Sequence, residues 1–153
     1  MQWIKKDIQT YIQAKEYVDT IIVPVMPFHL SSEPKVAKSA FQGEVLSIFI
    51  KELEKDLTGR VMLTPNYTYL KSSDKQKEVS RLNEWINDSS EQKFNHIFFI
   101  TFDSTWKKFE PTLTGTLLWL PGIQSGDLYS KELQEIIQDQ VTEISELIKS
   151  YWE

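Results

Sequence analysis

The chain contains no cysteine. Disulfides, thiolate nucleophiles and cysteine-bound metals are therefore excluded. Glycine is scarce, at five in 153 residues. Gly43, Gly59, Gly115, Gly122 and Gly126 match neither the dinucleotide fingerprint nor the P-loop, so the common phosphate-cradling loops are missing. Arginine is limited to Arg60, which opens a predicted strand, and Arg81, inside a predicted helix. That leaves little for bidentate capture of a phosphate or carboxylate. No G-x-S-x-G nucleophile elbow occurs. The longest nearly apolar stretch, Ile21 to Leu30, is interrupted by Pro24, Pro27 and His29 and is too short to span a bilayer. No basic leader with an apolar core opens the sequence, so a cytoplasmic location without membrane association is expected.

A basic surplus is also lacking. The net charge of −5 lies entirely in residues 127–153, where seven acids face only Lys131 and Lys149. The preceding residues balance. With nothing to neutralise a phosphate backbone, nucleic acid is excluded as a partner. The terminal acids read either as a solvated helix face or as a docking face for a basic protein.

What the chain does have is a rhythm. Four apolar runs, Thr20–Pro24, Val61–Pro65, Ile97–Asp103 and Leu117–Pro121, each stop at a proline or a small polar residue. Strands are predicted at about 20–26, 60–64, 95–102 and 115–120. Helical patterns flank and separate them, at 3–17, from the Ser31–Pro34 start to about Leu57, from the capping box Ser73–Gln76 to about Asn87, and at 130–151. Strands alternating with helices over 1–153 predict one α/β domain. Its architecture is a three-layer αβα sandwich around a mostly parallel four-stranded sheet, in order 2-1-3-4. Residues 103–114 are close to the ~12-residue minimum for a parallel crossover. An antiparallel last strand is thus the alternative.

In such a sheet, ligands sit outside the carboxyl ends of the strands. Six residues there form the candidate site: His29 after the first strand, Asn66 and Tyr67 after the second, and Asp103, Ser104 and Trp106 after the third. Asp103–Ser104 reads either as a helix cap or, with His29, as an acid–base pair. Two potential metal ligands are too few for a metal site. No cofactor and no catalytic residue is predicted. The helix after the first strand has an N-terminus suited to an anion, which Glu33 offsets.

The segments Thr20–Pro27, Gly59–Tyr69, His96–Asp103 and Leu118–Gly122 resemble the YpiF-like proteins of spore-forming Gram-positive bacteria, a family of unknown function. The resemblance covers nearly the whole chain. It implies a small cytoplasmic bacterial protein and transfers no catalytic residue. The reading the sequence favours is a non-catalytic binding or regulatory module. It acts through a protein partner at the acidic last helix. The alternative is a small-molecule binder or hydrolase with its pocket at the strand ends. A homodimer through the last helix is a third expectation.

Overall fold

A computed structural model describes residues 1–123 and 126–153. In chain order the elements are α1 (Lys5–Gln13), a 3-10 turn (Lys15–Tyr17), β1 (Thr20–Phe28), α2 (Glu33–Asp56), β2 (Val61–Leu63), β3 (Tyr67–Leu70), α3 (Lys75–Asp88), β4 (His96–Thr101), a longer 3-10 helix (Ser104–Thr112), β5 (Thr116–Trp119) and α4 (Lys131–Tyr151). The sheet runs β2-β1-β4-β5, with β3 also paired to β1. This is the expected α/β sandwich in the expected strand order.

The last strand is parallel, from Phe98↔Thr116 to Thr101↔Trp119. The antiparallel alternative is therefore set aside. The short crossover reaches because residues Ser104–Thr112 wind as a 3-10 helix. That geometry rises about 2.0 Å per residue, further than an α-helix of equal length.

The structure adds β3, a strand that the sequence reading placed in a loop. Ile21 and Ile22 pair with Met62 and Leu63, and Val25 pairs with Tyr67. From Ile22 to Val25 the central strand advances by three residues, whereas the edge advances by four. The edge thus carries one extra residue within Thr64–Asn66, which is a β-bulge. Its cause is local. Pro24 has no N–H to offer the edge, and Pro65 has none to offer in return. The Thr64 amide makes the last bond before the break, to Ile22 O at 3.0 Å.

The extra residue shifts the side-chain phase. Val61 and Leu63 point into the core beneath α2, whereas Tyr67 and Tyr69 join the core on the opposite face.

The two faces bury different sets. On one, Ile22, Phe98, Ile100 and Leu118 meet Leu46, Phe49 and Leu53 of α2 and Ile137, Val141 and Ile148 of α4. The regular stripe on α4 is therefore used inside the fold. On the other face, Val23, Val25 and Phe99 pack against Val79, Leu82 and Trp106. Ile21 and Met62 form a smaller cluster with Met1 and Val18, covered by Ile8 and Tyr11.

The predicted 3–17 helix is two pieces, because Ala14 leaves helical geometry at φ −134°. No α1 residue is buried, and Ile4 and Ile12 of its apolar stripe remain exposed. At the other end of β2, Gly59 takes φ +94° and turns the chain from α2 into the strand. Met1 covers the β2 edge by accepting the Leu63 amide at 2.8 Å.

Candidate functional site

The order of strands reverses between β1 and β4, so their carboxyl ends open a crevice. A cleft of about 390 Å³ lies there. Val25, Met26 and Phe102 line it with apolar surface, and Lys35, Lys38, Ser39, Gln42, Lys71, Asp103 and Ser104 supply the polar groups. Lys35, Lys38 and Gln42 recur at helical spacing, which puts them on one face of α2. Gly43 leaves room for the Met26 side chain beneath that helix, since a Cβ there would fall 2.6 Å from Met26 Cε. Lys35, Lys38 and Lys71 are exposed and, among the described residues, carry no ion pair.

The six residues singled out from sequence divide. Asp103 and Ser104 line the cleft. Asp103 is engaged from every side. It accepts from the Tyr69 hydroxyl, from the Thr105 amide at 3.0 Å and from Thr105 Oγ1 at 2.7 Å, and Lys75 Nζ stands 3.6 Å away. It is the cap of the 3-10 helix. Burial alone would raise its carboxyl, but the Tyr69 and Thr105 bonds and the Lys75 charge hold it below the usual carboxylate range. In turn, burial and the bond to Asp103 push the Tyr69 phenol well above its usual value.

Trp106 does not line the cleft: it is fully buried in the core on the α3 face, with its Nε1–H donated to Tyr69 Oη at 3.0 Å. Tyr67 is also buried and donates to Glu78 Oε1 at 2.6 Å. Glu78, itself only 2% exposed, accepts from Ser73 Oγ at 2.6 Å as well. Its burial raises the carboxyl, yet the Ser73 and Tyr67 bonds leave it net lowered.

His29 is held between Ser31 and Ser39, each 2.8 Å from a ring nitrogen. It lines a separate depression of about 370 Å³ that shares Lys71 with the cleft. Asn66 is exposed, with Nδ2 3.3 Å from Met26 Sδ. Asp103 and His29 are thus each bonded elsewhere rather than to each other.

Sequence reasoning missed the lysines and Gln42. The signal was present, as a lysine, lysine, glutamine row on the first turns of the helix that follows the central strand. Arg60, placed at the far edge, pairs with Asp19 at 2.9 and 2.8 Å and lies 4.3 Å over the Trp152 ring.

A second concavity, of about 780 Å³, separates α1 from α3 on the opposite helical layer. Ile21, Met62 and Leu63 contribute from the sheet, Trp3, Ile8, Tyr11 and Ile12 from the α1 side, and Trp85, Ile86 and Phe94 from the α3 side. Lys15 stands on one wall, and Glu84 and Asp88 on the other. Among the described residues, no helix is long and apolar enough to cross a membrane.

The family described as "Protein of unknown function (DUF2487)" matches residues 9–152. A relative from Bacillus subtilis (strain 168), "Uncharacterized protein YpiF", is 28% identical over 152 residues, covering 99% of this chain and 98% of its own. No solved structure matches.

Proposed function

Because the chain belongs to the DUF2487 family, whose description names no activity, we propose from its own geometry that it is a non-catalytic binding protein of the bacterial cytoplasm. Its ligand is a small anion, a phosphate- or carboxylate-bearing molecule, held in the strand-end cleft.

The observation that carries this reading is the ring of Lys35, Lys38 and Lys71 around a cleft without a free acid. Asp103 does not neutralise them, since its charge is already met by Lys75, Tyr69 and Thr105. Three ammonium groups around one concavity raise the local concentration of anions. Gln42, Ser39 and Ser104 add neutral hydrogen-bonding groups for orientation. The non-catalytic part rests on the same economy. Asp103, Glu78 and His29, the natural acids and bases here, are each satisfied by neighbouring side chains.

A panel of phosphorylated and carboxylated metabolites, scored by thermal shift, tests the reading. At 100 times its dissociation constant, a ligand stabilises by about 2.7 kcal/mol, a rise of roughly 5–10 °C for a domain of this size. The rise should vanish in the double variant Lys35→Glu with Lys38→Glu and shrink with added salt. An equal rise in that variant, or no response across the panel, overturns it.

A second reading has α4 as a docking face for a basic protein. Glu132, Glu135, Asp139, Glu143 and Glu146 are exposed and, among the described residues, have no cationic partner. Reversing Glu135, Asp139, Glu143 and Glu146 to lysine should abolish binding of a purified partner, and unchanged binding sinks this reading.

A further inference from the structure

The groove between α1 and α3 has no part in the strand-end reading, yet it is the larger concavity. Its borders expose big apolar side chains, with Trp3 at 65%, Ile12 at 61% and Trp85 at 39%. Helix α1 has nine residues and buries none of them. A helix of that length is marginal on its own and normally draws its stability from packing. Only Ile8 and Tyr11 turn toward the core, so half of its apolar stripe has nothing to cover it. A surface of this kind marks an interaction site.

The charges on the groove say what fits it. The α1 wall presents Lys15 and no acid, and the α3 wall presents Glu84 and Asp88 and no base. All three are exposed, and among the described residues none has an ion-pair partner. They lie on opposite walls of one groove. A two-fold axis running along the groove carries each α1 wall over the α3 wall of the other copy. Lys15 of each copy then meets Glu84 and Asp88 of the other. The same rotation brings Trp3 and Ile12 of each copy over the α3 wall, with Trp85, of the other. One patch serves both sides, as an isologous interface requires.

We infer that the α1–α3 groove is a homodimer interface, closed by the same face of a second copy of this chain. The pairing covers the exposed stripe of α1, closes the two apolar grooves over each other and sets Lys15 of each copy against two acids of the other. It uses the face opposite α4, so the strand-end cleft and the acidic helix stay open in the dimer.

Sedimentation velocity over a wide range of protein concentration tests the inference. The full chain should sediment as a dimer. Lys15→Glu should weaken the dimer at least about tenfold, since like charges brought together cost upwards of 1.4 kcal/mol. Glu84→Lys with Asp88→Lys should do the same. The triple variant carrying all three reversals should recover the dimer, because the walls are again complementary. Ile12→Asp, at an exposed site where folding is not in question, should give a monomer with an unchanged circular dichroism spectrum.

A chain that is monomeric at every concentration overturns the inference. So does a dimer that ignores Lys15→Glu and Ile12→Asp, or a triple variant that fails to recover. A monomer whose groove takes up an apolar dye, with uptake lost in Ile12→Asp, assigns the groove to a small apolar molecule instead and likewise overturns it.

Discussion

The two helical layers of this fold are built on different terms. The α2–α4 layer consists of helices of 24 and 21 residues that pack on each other and on the sheet. They enclose one continuous core from Leu57 at one end to Leu133 at the other. The opposite layer uses the shorter α1 and α3, with a 3-10 helix in place of a further α-helix. Its core is divided into two clusters, and the groove opens where α1 and α3 fail to meet. The first layer supplies stability. The second supplies the phenol–carboxylate network and an open apolar groove. Low local burial is where binding surfaces are usually found.

Substitutions can break or sharpen that contrast. The largest effect is expected at Phe49, a fully buried residue on the sheet-facing side of α2. Phe49→Ala should cost about 3–5 kcal/mol in urea unfolding. A cost below that of Ile8→Ala, on the half-buried side of α1, would invert the assignment of roles.

An intermediate effect is expected at Glu78. Glu78→Gln removes a buried charge that accepts from Tyr67 and Ser73, and should cost about 1–3 kcal/mol at pH 7. The folded carboxyl is held below its unfolded value. Its contribution is therefore complete above the unfolded value of about 4.3. It is lost as pH falls through the lower folded one. Unfolding measured from pH 7 to pH 3 should show wild type and variant converging. Divergence on acidification would mean that Glu78 is destabilising in its charged form.

The smallest effect is expected at Ile12. At concentrations where the chain is monomeric, Ile12→Ser should change stability by no more than about 0.5 kcal/mol. A larger loss would show that α1 is integral to the monomer and not a reserve surface.

The layers also differ in how legible they are. The order of strands, the α2 and α4 stripes and the capping box of α3 follow from residue spacing. Tyr67 and Trp106 are expected in loops after the strand ends, whereas Tyr67 opens β3 and Trp106 lies in the 3-10 helix after β4. Their side chains turn inward, because a tyrosine or tryptophan with a buried partner gains more from the core than from water. Periodicity cannot reveal that Asp103 finds Tyr69 and Lys75, since those contacts join segments far apart in sequence. Strand β3 was missed because Pro65 hides it. A proline ordinarily ends a strand, and here it only interrupts one. The lysines of α2 were passed over because exposed lysines are common, and only the cleft beneath them gives the row meaning.

The bulge at Thr64–Asn66 has a consequence beyond its hydrogen bonds. Point substitutions alter what a side chain is, but not which side of the sheet it occupies. One extra residue in the edge does the latter. It carries Tyr67 and Tyr69 through the sheet to Glu78, Asp103 and Trp106. Losing a single codon there would restore the regular alternation and deliver both phenols to the wrong layer, leaving Glu78 and Asp103 without their donors. The network is thus encoded as much by a count as by a composition.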